Sequence, residues 1–217
     1  MEVDLRGLSA LGHKKGGKPG GRGKGNTNKK PKKGAKPKAK KPSVKLRGVT
    51  KAERRLAASP GNTPAQRRAR KKVVSAFLSQ HGQEFDPKTK SYKPPTKKQV
   101  RDQLRGHDMS KPVKVGPPPP APSPQHQWQR KNGFQGSYYG DKSTTPSELG
   151  ISPYSRGKDG RYESKQQKPY AVDPKTPYLE STSAPVNDTW SVKGQPVPAK
   201  GGGIQRVIPD RSAAQPI

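Results

Sequence analysis

Two kinds of cationic side chain, separated along the chain, could bind phosphate. Lysines dominate residues 13–42, whereas seven arginines lie within residues 49–106. Lysine is a flexible point charge, while the planar guanidinium of arginine can donate two parallel hydrogen bonds to one phosphate. We therefore predict unspecific neutralisation by the lysines and directed phosphate contacts by the arginines. The predicted nucleic-acid-binding residues are Lys29, Lys30, Lys32, Lys33, Lys36, Lys38, Lys40, Lys41, Arg54, Arg55, Arg67, Arg68, Arg70, Lys71, Lys72, Arg101, Arg105, Trp128, Arg130 and Lys131.

The net charge indicates what these cations bind. The 217 residues carry 46 Lys and Arg against 15 Asp and Glu, a formal net charge of +31. The excess is +14 in residues 1–48, +11 in residues 49–106 and +6 in residues 107–217. Such a charge opposes compaction unless a polyanion neutralises it, and nucleic acid is the commonest polyanion of that kind. The sequence therefore favours a nucleic-acid partner.

Side chains suited to catalysis are scattered. His13, His81, His107 and His126 fall in predicted loops without the spacing of metal ligands, and the chain has no cysteine. Neither an H-E-x-x-H motif nor a G-x-S-x-G motif occurs. The carboxylates do not cluster in apolar sequence that would shift their pKa values for acid and base catalysis. We therefore predict that the chain is not an enzyme and holds no metal or cofactor.

Three capping boxes predict where helices begin. In each, a Thr is followed three residues later by Glu or Gln, so that both side chains satisfy free backbone amides at the helix start. The pairs are Thr50 with Glu53, Thr63 with Gln66 and Thr96 with Gln99. The first helix should stop at Pro60, the second before Gly82 and the third at Gly106. These helices would position all seven arginines.

The second helix carries apolar residues on two sides. Val73 and Phe77 share one side, and Val74 and Leu78 share another, so that one partner helix would not cover both. The candidate core residues are Leu56, Val73, Val74, Phe77, Leu78, Phe85, Tyr92, Val100 and Leu104. This set is thin for an independent core. We therefore expect self-association, or folding on nucleic acid, to supply the missing burial.

Composition predicts disorder in the rest of the chain. Only 25% of the residues are hydrophobic, and the chain contains 26 Pro and 24 Gly, which is too little apolar surface to offset the entropy of ordering. The predicted fold class is mostly disordered, with a small all-α segment of about three short helices over residues 50–106. The predicted segments are a disordered Lys/Gly-rich basic tail (1–48), a helical RNA-binding and self-association segment (49–106), a Pro-rich linker (107–127) and a disordered aromatic and Pro-containing region (128–217).

Aromatic residues follow the predicted linker. Trp128 and Phe134 lie near Arg130 and Lys131, and this mixture offers rings for stacking on unpaired bases beside cations for the backbone. The run from Pro117 to Pro124 should form an extended polyproline II segment that could also dock an SH3 or WW domain. Single-stranded RNA is the predicted principal partner.

The chain resembles viral nucleocapsid proteins in its organisation, in particular the small RNA-packaging proteins of nidoviruses. The shared organisation is a Lys/Gly-rich tail, followed by a basic helical middle and a polar Pro/Tyr-rich remainder. The resemblance implies an oligomeric protein that coats a single-stranded RNA genome in the virion and the host cytoplasm. Lys32 to Lys41 is also similar to linker-histone tails, so a protein of chromatin or the nucleolus is one alternative. A Pro-rich interaction scaffold is another. No apolar stretch is long enough to predict a membrane span.

Overall fold

The three predicted capping boxes are present at the starts of three helices. The computed structural model describes residues 44–86, 88–116, 124–157, 159–189, 191–192 and 194–217. The helices are α1 (Lys51–Ala58), α2 (Pro64–His81) and α3 (Lys97–Leu104). At α1, the Glu53 amide donates to Thr50 Oγ1 at 3.1 Å, and the Thr50 amide donates to Glu53 Oε2 at 2.8 Å. The predicted helix starts are confirmed.

Strands account for most of the remaining regular structure. Among the described residues they are β1 (Glu84–Asp86), β2 (Ser91–Lys93), β3 (Lys114–Gly116), β4 (Gln125–Gln129), β5 (Tyr138–Gly140), β6 (Tyr154–Arg156), β7 (Tyr162–Ser164), β8 (Gln166–Val172), β9 (Tyr178–Thr182), β10 (Val186–Asp188), β11 (Val197–Ala199), β12 (Ile204–Val207) and β13 (Ala214–Pro216). Seven form one antiparallel sheet in the order β13-β8-β4-β5-β12-β9-β3. The predicted fold class, mostly disordered with only helices, is therefore wrong.

The seven-stranded sheet has two differently packed faces. Successive residues of a strand point to opposite faces, so Val207 of β12 and its cross-strand neighbour Leu179 of β9 lie on one face and Arg206 lies on the other. Val207 and Leu179 join buried side chains of α1, α2 and α3 in one hydrophobic cluster. On the second face, Tyr139 and Tyr170 pack edge to face with ring centroids 5.5 Å apart. The helices therefore pack on the first face of the sheet.

This packing explains the two apolar sides of α2. Helices α1 and α3 both pack against α2, and the sheet supplies further cover through the shared cluster. The buried members of the predicted core are Val73, Val74, Phe77, Leu78 and Val100, and Leu104 is partly buried. Leu56, Phe85 and Tyr92 are exposed by 37%, 47% and 45%, and their placement in the core was wrong. The sheet, rather than a second chain or nucleic acid, supplies the missing burial.

Hydrogen bonds between polar groups explain how a chain with few hydrophobic residues packs. Gln127 is 4% exposed, donates from Nε2 to the Tyr138 carbonyl at 3.0 Å and accepts from the Gly136 amide at 2.8 Å. Gln129 donates to Tyr170 Oη at 2.6 Å. A buried polar group that keeps its hydrogen bonds avoids a desolvation cost of about 1–3 kcal/mol. The disorder prediction counted only apolar burial and so missed this contribution.

Two predicted binding segments lie outside the described residues. The lysine run from Lys29 to Lys41 is one, and residues 117–123 of the Pro-rich run are the other. Within the described ranges, no helix combines the length and the apolar character needed to cross a membrane.

Candidate active site

An open cleft of about 850 Å³ lies beside α3. Its lining comes from α3, from β4 and the loop that follows, from β6 and from β12. Small-molecule sites in proteins typically measure about 300–1,000 Å³ and combine apolar walls with a few placed polar groups. Aromatic rings, cations and amides meet in this cleft, so it is the candidate site for an organic ligand.

Aromatic residues line the wall formed by β4 and the loop that follows it. Trp128, Phe134 and Tyr138 belong to the lining. The Trp128 indole is fixed because its Nε1 donates to the Thr144 carbonyl at 2.8 Å. Phe134 is 91% exposed. Its ring is therefore available to a flat ligand without any rearrangement of the core.

The backbone beside Phe134 is anchored, which fixes where the ring emerges. Gln135 Nε2 donates to Tyr139 Oη at 2.8 Å and to the Ala214 carbonyl at 2.9 Å. The next amide, that of Gly136, donates to Gln127 Oε1 at 2.8 Å. These bonds hold the loop against β4 and the end of the chain, so Phe134 is presented by a fixed support.

One amide side chain lies at the sheet side of the cleft with a fixed orientation. Gln205 of β12 lines the cleft and is only 3% exposed. Its Nε2 donates to the Gly106 carbonyl at 2.8 Å and lies 3.2 Å from His107 Nδ1. Its Oε1 accepts no hydrogen bond from any described residue. The cleft therefore contains one amide oxygen with a free acceptor position.

His107 lies behind this amide and is buried. Its Nδ1 is 2.7 Å from Ser181 Oγ, whereas its Nε2 has no partner among the described residues. The ring centroid is 6.2 Å from that of Tyr138. Burial lowers the pKa of His107 to about 4, so the imidazole is neutral at neutral pH.

Three cations also line the cleft, and two of them are available to an anion. Lys165 is engaged, because its Nζ donates to the Ser152 carbonyl at 2.8 Å and to Ser191 Oγ at 2.6 Å. Burial lowers the pKa of Lys165. The Arg156 guanidinium uses Nε for a backbone carbonyl at 3.2 Å, and that of Arg130 has no acceptor among the described residues. Both guanidinium groups can therefore bind phosphate.

The structure separates the predicted nucleic-acid-binding residues that it describes. Trp128 and Arg130 line the cleft, and Lys131 follows them in the loop. The cations of the helical part, which do not line it, are Arg54, Arg55, Arg67, Arg68, Arg70, Lys71, Lys72, Arg101 and Arg105. Arg70 is fully buried, whereas Arg67 and Arg68 are exposed. Contact of these side chains with nucleic acid stays a prediction.

Sequence reasoning missed His107 and Gln205. His107 was predicted to lie in a loop, but the residue forms a β-bridge with Ser183. Its hydrogen bonds reach residues 74 and 98 positions away, so no local pattern could have indicated them. Within the described part of the chain, no group of three or more His, Asp or Glu side chains is placed to hold a metal ion.

The chain belongs to a family of bacterial toxins. Residues 81–213 match the family described as bacterial toxin 46, and this segment is more than half of the chain. It includes β4, β12 and every lining residue of the cleft discussed above.

A curated relative is the NAD(P)(+) glycohydrolase toxin Tse6 of Pseudomonas aeruginosa, 41% identical over 81 residues. The match covers 36% of this chain and 19% of that protein, so the chain spans about a fifth of this relative's length. Among solved structures, Tse6 in complex with Tsi6 matches with a TM-score of 0.52 and 23% identity, over 70% of this chain and 96% of that chain. This likeness establishes the fold.

These findings correct the functional predictions. Membership of a bacterial toxin family overturns the viral nucleocapsid, its RNA-packaging role and its location in the virion and host cytoplasm, and it does not support the chromatin or scaffold alternatives. The prediction of a protein that is not an enzyme is overturned by similarity to a glycohydrolase. The predicted partners are also wrong. They were single-stranded RNA, further copies of the chain and an SH3 or WW domain, whereas the solved relative is in complex with Tsi6.

Proposed function

We propose that this chain hydrolyses NAD(P)+ to nicotinamide and the corresponding ADP-ribose. The observation that carries the proposal is the 41% identity over 81 residues to an NAD(P)(+) glycohydrolase toxin. The candidate cleft lies within the residues matched to the bacterial toxin family. Its groups correspond to the parts of such a substrate.

The substrate consists of two flat heteroaromatic rings joined through two riboses and a diphosphate. Trp128, Phe134 and Tyr138 offer faces for the rings, because aromatic side chains bind flat ligands by stacking and by burial of apolar surface. Arg130 and Arg156 offer guanidinium groups for the diphosphate. The cleft volume of about 850 Å³ is sufficient for a ligand of this size.

The reaction breaks the bond between ribose C1′ and the ring nitrogen of nicotinamide. The electron pair of that bond leaves with nicotinamide, which becomes neutral, while positive charge develops on the ribose. Water then adds to C1′ and releases one proton. Gln205 Oε1 is the negative end of an amide dipole in a fixed position, and such a group stabilises charge that develops in a transition state.

The proposal is tested by incubating the purified full chain with NAD+ and, separately, with NADP+, and separating nicotinamide and ADP-ribose by chromatography. Gln205→Met keeps the side-chain volume and removes the amide, so we expect kcat to fall about 100-fold. Gln80→Met, on the exposed surface of α2, is the matched control and should hydrolyse NAD+ like the wild type. A folded wild-type chain that releases no nicotinamide would contradict the proposal.

A further inference from the structure

The orientation of the Gln205 amide follows from its neighbours. A backbone carbonyl only accepts, so the 2.8 Å contact with the Gly106 carbonyl identifies the side-chain atom there as the donor Nε2. Ser181 Oγ lies 3.4 Å and His107 Nδ1 lies 3.2 Å from the same nitrogen. These three neighbours lie on the nitrogen side of the amide, which leaves Oε1 on the other side, in a residue that lines the cleft.

The contacts around Gln205 Nε2 also involve the protonation site of the His107 ring. Gln205 Nε2 carries two N–H groups, and the Gly106 carbonyl accepts one of them. If the second points to His107 Nδ1 at 3.2 Å, Nδ1 accepts and the neutral ring carries its proton on Nε2. That Nε2–H is buried and has no partner among the described residues. A buried donor without a partner destabilises a fold by about 1–3 kcal/mol. In the other tautomer, Nδ1–H would donate to Ser181 Oγ at 2.7 Å, and the second N–H of Gln205 would turn to the same oxygen at 3.4 Å.

We propose that His107, with Ser181, is a positioning residue that holds Gln205 so that Oε1 faces the ribose of bound NAD(P)+ beside the bond that breaks. The inference rests on the proposed function. In this role His107 exchanges no proton with the substrate. It keeps an acceptor behind the amide nitrogen, and the amide oxygen is thereby oriented before the substrate arrives. A dipole that is already oriented costs no reorganisation when charge develops on the ribose.

Two substitutions at position 107 separate this role from a space-filling one. His107→Asn places an amide oxygen near the position of Nδ1 and retains the acceptor, whereas His107→Leu fills part of the volume without any acceptor. We expect His107→Leu to lower kcat for NAD+ hydrolysis about 100-fold, since a small misplacement of a catalytic group has effects of that size. KM should stay within about twofold, and His107→Asn should retain kcat within about tenfold of wild type. A His107→Leu protein with wild-type kcat overturns the proposal, as does a folded His107→Asn protein as slow as His107→Leu.

A spectroscopic measurement on the wild type tests the proposal even if the His107→Leu protein does not fold. The ¹⁵N chemical shifts of the imidazole distinguish the two tautomers, and the proposal requires Nε2–H; a neutral ring protonated on Nδ1 overturns it. The Gln205 side-chain NH₂ signals are assigned by their loss in Gln205→Met. These signals should stay in place in His107→Asn and move in His107→Leu if the latter folds.

The outcomes distinguish this inference from the proposed function. A wild-type chain that leaves NAD+ and NADP+ intact overturns the proposed function together with the inference. An active wild type whose kcat is insensitive to His107→Leu overturns the inference alone. An active wild type with a slow His107→Leu and a rescued His107→Asn supports both.

Discussion

Arg70 in the helical part and His107 behind the cleft are both buried, and they differ in how fully they are hydrogen-bonded. In the helical part, Arg70 is fully buried and all three of its guanidinium nitrogens donate to backbone carbonyls. The acceptors are the carbonyls of Ala57 at 3.1 Å, Met109 at 3.0 Å, Ser59 at 2.8 Å and Gly61 at 2.8 Å. Behind the cleft, His107 Nε2 is buried without a partner among the described residues, and the ring contacts Gln205, whose Oε1 accepts no hydrogen bond from them. The satisfied group joins α2 to the end of α1 and to the segment before β3, whereas the incompletely bonded His107 contacts a residue of the cleft lining.

The difference indicates how to assign roles to buried polar groups in this chain. A fully bonded side chain repays its desolvation within the fold, while a group left without a partner costs about 1–3 kcal/mol. Because Arg54 Nε, His81 Nε2 and His126 Nδ1 are also buried without a partner among the described residues, a role for His107 depends on its contact with Gln205. Removing Arg70 should therefore affect stability and spare the chemistry. Changing the groups at the cleft should affect the chemistry more than the fold.

Arg70→Met gives the largest expected effect on stability. Methionine fills much of the same volume but leaves four carbonyls without their donor, so we expect the free energy of unfolding to fall by about 4 kcal/mol. Urea denaturation followed by circular dichroism measures this change. Arg67→Met, on the exposed side of the same helix, is the control and should change stability by about 0.5 kcal/mol or less.

The stabilising role assigned to Arg70 is wrong if Arg70→Met is as stable as Arg67→Met. The assignment is also wrong if Arg70→Met abolishes nicotinamide release in protein that remains folded, because Arg70 does not line the cleft. Measuring kcat on the folded fraction separates the two cases.

The pH dependence of stability gives the next largest effect. His107 has an ordinary pKa of 6.5 and a folded-state pKa of about 4, so the unfolded chain binds its proton first as the pH falls. The stabilisation from the neutral ring is therefore present above about pH 6.5 and is lost progressively towards pH 4, by about 3 kcal/mol in total.

His107→Asn isolates this contribution. Burial also lowers the pKa of His81, and hydrogen bonds lower the pKa values of Glu53 and Asp86, but these groups are common to both proteins. Urea denaturation at a series of pH values should show the wild type losing more stability than the variant between pH 7 and pH 4. Parallel curves would mean that His107 is not buried as a neutral ring.

The helical part could be predicted from the sequence because its signals are local. Each capping box joins residues three positions apart, and Thr50, Thr63 and Thr96 all begin helices. The sheet gave no comparable signal. Most of its strands contain three to five residues, and β12 pairs with β5 although Gln205 and Gly140 are 65 positions apart. The strands of the sheet bury polar as well as apolar residues, so their sequences do not show the alternation of apolar and polar residues that is typical of a half-buried strand.

The candidate site was only partly visible in the sequence. Trp128 and Arg130 were predicted to bind nucleic acid as an aromatic ring beside a cation, and both line the cleft. The predicted partner, single-stranded RNA, was wrong. Net charge restricts the partners a protein attracts and says little about the reaction that a cleft performs. His107 and Gln205 acquire their geometry from the sheet, so their roles could be inferred only from the structure.

Phe134→Leu gives the smallest of the expected effects and tests the aromatic wall. The ring is 91% exposed at the cleft, so leucine should leave the free energy of unfolding unchanged while removing the stacking surface. We expect KM for NAD+ to rise about tenfold, equivalent to about 1.4 kcal/mol, with little change in kcat, because stacking on a ring remote from the reacting bond contributes equally to the ground state and the transition state. Phe134→Trp should restore KM, and Phe85→Leu, at an exposed phenylalanine that does not line the cleft, should leave KM unchanged. An unaltered KM in Phe134→Leu would show that the substrate rings bind without this side chain and would limit the aromatic wall to Trp128 and Tyr138.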